Sequence, residues 1–223
     1  MDKLVRKIEI PLARKIIEKA GLYIVQKKDL DRLAEVAADA YEDYPLHNWL
    51  TKGKYDKKAS KILMQITLRT MTEDAIIYAD SEEMNGFAAW LPFGFTGNKA
   101  IPFLKNGGLK LILHSGFGII SRLSAYEKYA MNLKKEFTDH YDWYLFNLSI
   151  KKDAQGKGIA SKLMRPMLEF LDNEKMVAYL ETNKDKNVGL YNHYGFTVKK
   201  EELIPKTNVM HYAMVREPID KNC

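Results

Sequence analysis

The chain predicts an α/β (α+β) fold, and three observations carry that expectation. Apolar runs of strand length at 75–78, 86–91 and 143–150 are separated by segments whose apolar residues recur at helical spacing. The two earlier runs lie close enough to pair as an antiparallel hairpin through a turn around 82–85. The third passes through a short polar turn into Gln155-Gly-Lys-Gly-Ile-Ala160, which opens an amphipathic helix, and another apolar run follows at 177–182.

Each element can be justified in order. Residues 3–19 alternate charged and apolar at helical spacing, broken by Pro11, and read as an N-terminal helical arm. A short strand is expected at 22–25. Asp29 is placed to cap a helix through Tyr41, with Leu30, Leu33, Ala34, Ala37 and Ala38 on one face. Pro45 ends that pattern, because a proline disfavours the α region at the residue before it. A second helix is expected over 55–72, with Ile62, Leu63, Ile66 and Leu68 as its apolar positions. After the hairpin, residues 92–118 are rich in glycine and apolar residues with no clean period, and 109–113 and 119–133 have helical character. From 143 onward the order reads β-α-β-α-β-β. No repeat, low-complexity tract or composition shift marks a boundary, so one domain over 1–223 is expected.

Composition narrows the function classes. The formal charge is +6, from 35 Lys and Arg against 29 Asp and Glu. Lysine pairs such as Lys27-Lys28, Lys57-Lys58, Lys134-Lys135 and Lys199-Lys200 are spread along the chain rather than clustered. That pattern describes a solvated basic surface or a general attraction to an anionic cofactor, and no nucleic-acid partner is expected. Cys223 is the only cysteine, so no disulfide forms within the chain and a cytoplasmic setting is expected. No apolar run approaches the ~20 residues of a membrane span, so no membrane association is expected. The first residues are too charged for a secretory signal. The oligomeric expectation is a monomer or homodimer. The five histidines (His47, His114, His140, His193, His211) show no metal-ligand spacing, and no metal is expected.

The stretch from Trp143 to Phe196, which opens on a strand, a turn and a helix, is the most informative segment. The first turn of a helix leaves backbone N–H groups unpaired at the positive end of its dipole, and a glycine there lets an anion approach the backbone. The pattern is not a Walker loop, which needs a hydroxyl after the lysine and a longer spacing. Nor is it a dinucleotide fingerprint, because position 161 is serine where the third glycine would stand. Gln155-x-x-Gly158-x-Ala160 after a strand instead resembles the Gln/Arg-x-x-Gly-x-Gly/Ala signature of GCN5-related N-acetyltransferases (GNAT). The resemblance covers roughly the last two thirds of the chain. It is clearest from Trp143 to Val198, where a strand, Asn187, Tyr191 and Gly195-Phe196 follow in the order that family uses. The run Leu180-Glu181-Thr182 before Asn187 resembles the branch that includes puromycin-type antibiotic acetyltransferases.

The resemblance implies a mixed, mainly antiparallel central sheet flanked by helices, with a helical insertion at 92–140 and an acetyl-CoA-binding core at 141–216. It implies acetyl-CoA as co-substrate and direct transfer of acetyl to an amine in a ternary complex. Leu148, Ser149 and Ile150 would offer backbone groups to the pantetheine arm. The amides from Gln155 through Ser161 (Gly156, Lys157, Gly158, Ile159 and Ala160 between them) would hold the pyrophosphate, and Lys157 or Lys162 could add charge. Tyr191 would be the general acid toward the departing thiolate. Asn187, one helical turn earlier, would bond the pantetheine arm or cap its helix.

Further roles follow less directly. Glu181, near the end of a strand beside the cleft, is the candidate base. Glu42 and Asp43 form an acidic patch suited to a cationic amine or to helix-end solvation. Phe93, Phe95, Phe103, Phe117 and Tyr126 either line an acceptor pocket or pack the insertion. Tyr194 and Phe196 are expected to pack. The expected reaction is acetylation of the primary amine of a small molecule. The alternatives are a non-catalytic acyl-CoA-binding sensor and an acetyltransferase of protein lysines or N-termini.

Overall fold

The strands of the sheet are β1 (Tyr23–Ile24), β2 (Ile76–Ala79), β3 (Gly86–Pro92), β4 (Trp143–Ile150), β5 (Ala178–Thr182), β6 (Thr197–Leu203) and β7 (Met210–Arg216). They form a seven-stranded sheet in the order β1-β2-β3-β4-β5-β7-β6 in this computed structural model, which describes residues 2–93, 100–137 and 142–220. All neighbours are antiparallel except β4 and β5. The helices are α1 (Asp2–Lys19), α2 (Leu30–Ala40), α3 (Pro45–Leu50), α4 (Lys57–Met71), α5 (Ala100–Phe103), α6 (Leu109–Ser115), α7 (Phe117–Lys135), α8 (Ile159–Asn173) and α9 (Asp185–His193). The mixed, mainly antiparallel sheet with flanking helices and a helical segment before β4 agrees with expectation.

Period-two burial shows how the sheet is sandwiched. Along β3, Ala88 and Trp90 face one core with Ala13 and Ile17 of α1 and Leu163, Met167 and Phe170 of α8. Phe87, Ala89 and Leu91 face the other, with Leu33 and Ala37 of α2, Met64 and Leu68 of α4 and Leu133 of α7. A strand covered on both faces has no polar face to show, which is why 86–91 reads as a continuous apolar run. The polar atoms of Trp90 and Tyr78 taken into this core are paired. The Trp90 indole N–H donates to the Tyr78 hydroxyl at 3.1 Å, and that hydroxyl donates to the Leu163 carbonyl at 2.7 Å. A third cluster joins α3, α4, α6 and α7 through Leu46, Ile66, Leu111 and Leu123.

Two local expectations are corrected. Helix α1 runs through Pro11 rather than breaking there. An interior proline forfeits one backbone bond at a cost of about 3 kcal/mol, and the full burial of Ala13 and Ile17 just beyond it holds the helix in place. Asp29 precedes α2 but does not cap it. Its carboxylate accepts from the Gln26 N–H and the Tyr23 hydroxyl, both at 2.9 Å, and so closes the turn that enters the helix. As expected, Tyr44 is extended before Pro45, and Pro45 then opens α3, where its missing N–H costs nothing.

The feature that positions the site lies in β4. It pairs with β5 only at Trp143↔Ala178, Tyr144↔Tyr179 and Leu145↔Leu180. On its other side Trp90 faces Leu145 while Ala89 faces Asn147, so Phe146 is an extra residue, a β-bulge. A bulge bends the strand that carries it. Beyond it β4 parts from β5, and 147–150 have no strand partner on that side.

Candidate functional site

Two cavities open where β4 and β5 part. The first, of about 530 Å³, lies between Leu148 and Ile150 of β4, the turn from Gln155 to Ser161, and Asn187, Leu190 and Tyr191 of α9. The second, of about 220 Å³, lies on the other side, over Tyr144, Phe146 and Glu181 of the sheet and under α3, α4 and α7. Tyr41 and Tyr44 line both. Any group passing between the cavities passes these two phenols.

The turn of the larger cavity is shaped by backbone. Gly156 has φ +77° and Gly158 φ +80°, a left-handed conformation that side chains rarely adopt. A Cβ built at either position meets nothing within 4 Å, so the protein leaves open space above this backbone. The first bond of α8 runs from the Lys162 N–H to the Gly158 carbonyl, leaving the N–H groups of Ile159, Ala160 and Ser161 without a helical partner. Gln155 staples the turn, its side-chain amide donating to the Ile150 carbonyl at 3.2 Å. Lys184 and Lys186 line the same cavity, cations that the sequence reading passed over because nothing local marks them. Lys162 donates to the Asp80 carbonyl at 2.6 Å instead of facing the turn, while Lys157 is exposed. These donors, this open backbone and this charge fit a phosphorylated ligand. On β4 the buried Asn147 Oδ1 has no protein partner among the described residues, an acceptor that suits an N–H donor rather than a phosphate.

Tyr191 is buried in the wall of this cavity, its ring edge-on to Phe196 at 6.0 Å. Among the described residues its hydroxyl has no protein hydrogen-bond partner. Burial first, and the neighbouring Tyr44, Tyr41 and Tyr194 next, push its pKa well above the tyrosine range, so the phenol keeps its proton. Tyr194 instead bonds Ser161, hydroxyl to hydroxyl, at 3.0 Å. Asn187 sits in the first turn of α9 but does not cap it; its amide donates to the Thr182 hydroxyl at 3.2 Å. That hydroxyl also meets the Tyr44 hydroxyl at 3.2 Å, which in turn accepts the Asn183 N–H at 2.9 Å. The end of β5, α9 and the α2–α3 connection are thus tied together at the junction of the cavities. Tyr41 is fixed there by the Asn147 amide and by stacking on His47, 4.1 Å between ring centres.

In the smaller cavity, the Glu181 carboxylate accepts from the Tyr179 hydroxyl at 2.8 Å and from Tyr144 at 3.4 Å. Tyr126 lines this cavity. Phe93 and Phe103 pack into the cores, Phe117 is exposed, and Phe95 lies outside the described residues, as do His140 and Cys223. Glu42 and Asp43 line neither cavity. Both are exposed and engage Lys152, so the acidic patch is a solvated ion-pair cluster rather than part of the pocket. Among the described residues no group of histidine, cysteine and carboxylate side chains could hold a metal ion. No helix there is long and apolar enough to cross a membrane.

His47 gives a pH expectation. It is buried against Ser60, and burial pushes its pKa down to about 3. The unfolded chain takes up a proton near pH 6.5 that the folded chain refuses until about 3. Stability is therefore fully present above 6.5 and falls as pH drops below it, by about 1.4 kcal/mol per unit. Denaturant unfolding between pH 7 and 5, above most carboxylate titration, should show a shallower slope in His47→Gln than in the wild type. Equal slopes would mean that His47 protonates inside the fold.

Comparison with known proteins agrees with this geometry. Residues 116–198 match the acetyltransferase (GNAT) domain family. The chain is 24% identical over 215 residues to an uncharacterized N-acetyltransferase of Schizosaccharomyces pombe, covering 87% of this chain and 82% of that protein. Its fold is similar to a histone acetyltransferase HPA2 and related acetyltransferase from Corynebacterium glutamicum (TM-score 0.55, 17% identity, 91% of this chain and 98% of that one). It is equally similar to arylalkylamine N-acetyltransferase 2 from Aedes aegypti (TM-score 0.55, 19% identity, 88% and 97%). With the parted strands, the glycine turn and the match of residues 116–198 to the GNAT domain family together, the chain is an N-acetyltransferase with acetyl-CoA as its co-substrate, similar in fold to GNAT proteins.

Proposed function

We propose that the acceptor is the primary amine of a small molecule and that acetyl passes to it directly at the junction of the two cavities. The observation that carries this reading is the smaller cavity. At about 220 Å³ it lies below the roughly 300–1,000 Å³ of most ligand pockets, and α3, α4 and α7 wall it in over the sheet. Such a space suits a compact amine better than an extended polypeptide. The insertion at 92–140 supplies α7 and so part of that wall, within one acetyltransferase domain. The run Leu180-Glu181-Thr182 supports a placement near the puromycin-type branch.

In this reading the backbone of Leu148, Ser149 and Ile150 holds the pantetheine arm along the unpaired edge of β4, with Asn187 beside it. The amides from Gln155 to Ser161 hold the pyrophosphate, helped by Lys157. Bound acetyl-CoA supplies the activated acetyl group. Glu181 takes the proton from the amine, directly or through water, and the neutral nitrogen forms the new C–N bond. The C–S bond breaks as Tyr191 donates its proton to the departing sulfur, and the second proton shed by the acylated nitrogen returns to Tyr191, directly or through water.

The test is release of free thiol from acetyl-CoA with polyamines, aminoacyl compounds, amino sugars and peptides as acceptors. Turnover with a small amine is expected. Turnover with peptides alone would identify a protein acetyltransferase, and tight acetyl-CoA binding with no thiol release from any acceptor would identify a sensor.

A further inference from the structure

The inward stripe of α7 puts an uncommon residue into the smaller cavity. Leu123, Tyr126, Glu127, Ala130 and Lys134 follow one another at spacings of three and four along that face. The Lys134 ammonium lies 3.9 Å from the centre of the Tyr144 ring. Among the described residues no carboxylate comes within 4.0 Å of it. Tyr144 in turn gives its hydroxyl to Glu181. One phenol therefore separates a cation on its face from an anion at its edge, and both charges line the same small space.

We infer that the acceptor is an amine that also carries an anionic group, a carboxylate in its simplest form, and that Lys134 is the residue that reads it. This rests on the small-amine reading above. An amine filling the pocket expels water from Lys134. If the ligand is a plain monoamine, that cation keeps no carboxylate within 4.0 Å among the described residues, Glu181 acting on it only from across the Tyr144 ring, a costly arrangement. A carboxylate on the ligand pairs with the ammonium, while the amine end of the same ligand lies toward Glu181 and the junction tyrosines. Burial already pulls the Lys134 pKa down, the mark of a cation short of solvent, and Glu181 only partly offsets this. A site built around a charge rejects the analogue that fails to pair it more strongly than an apolar site rejects a missing methylene.

The experiment compares acceptors that differ only in the carboxylate: phenethylamine with phenylalanine, tyramine with tyrosine, and propylamine with β-alanine. For each pair kcat/KM is measured, and calorimetry on the CoA-bound protein gives the Kd of each member. In the wild type at least one pair should favour its carboxylate-bearing member by tenfold or more in both quantities. Lys134→Met should reduce that ratio at least tenfold, and Lys134→Arg should keep it within threefold. The wild-type comparison needs no variant, and Lys134→Gln serves if the methionine variant fails to bind acetyl-CoA. Turnover of small amines with no carboxylate preference, or a preference that survives loss of the lysine charge, overturns this inference and leaves the small-amine reading intact. Turnover confined to peptides overturns both.

Discussion

Gly158→Glu is expected to weaken acetyl-CoA binding on the order of 10²- to 10³-fold while leaving a folded protein. The side chain would project from a turn at φ +80° into space that no protein atom occupies. The substitution therefore costs backbone strain of about 1–2 kcal/mol but no collision. Its effect falls on the ligand. A carboxylate within about 4 Å of a phosphate, near a protein surface, opposes it by roughly 4 kcal/mol, and it does so where the free N–H groups of Ile159, Ala160 and Ser161 would otherwise bind. Gly158→Ala separates the two contributions, because it carries the strain without the charge and should lose far less affinity. Calorimetry finding wild-type affinity in Gly158→Glu would move the pyrophosphate away from this turn.

Tyr191→Phe should lower kcat on the order of 10²-fold, the low end of what a positioned acid supplies, with the acetyl-CoA dissociation constant nearly unchanged. The structure makes this substitution unusually clean. The Tyr191 hydroxyl has no protein partner among the described residues, so its removal leaves no orphaned donor or acceptor behind. The ring keeps its edge contact with Phe196. Alanine would instead open a cavity and mix stability with catalysis. A fall in kcat and kcat/KM together would match an interaction made only in the transition state. If Tyr191→Phe turns over at the wild-type rate, the tyrosine is a packing residue. The search for the acid then passes to Tyr44, whose hydroxyl stands at the junction of the cavities.

The sequence was most legible where structure is local. Strand β4, the glycine turn and the start of α8 follow one another within a few residues, so apolar run, turn chemistry and helical period could be read directly. Asn187 and Tyr191 share one turn of α9, and the structure brings both beside that turn. The misreadings were also local in origin. Pro11 and Asp29 carry strong propensities for breaking and capping, and tertiary burial and a competing turn overrode them. Glu42 and Asp43 were open in sequence between recognition of a cationic amine and helix-end solvation, and it is Lys152, about 110 positions away in the chain, that engages them at the surface.

By itself, then, the sequence determined the fold class, the glycine turn before α8 and the resemblance that implies acetyl-CoA, since all three are carried by short-range patterns. Only the tertiary structure decided where the two cavities meet. Tyr41 and Tyr44 reach that junction from a connection more than 100 residues before the motif, fixed by Asn147, Thr182 and Asn183. Lys134 reaches the smaller cavity from α7 as one member of a lysine pair that looks no different from four others in the chain. Which of those charges loses its water is settled by packing between distant elements, and no local pattern encodes it.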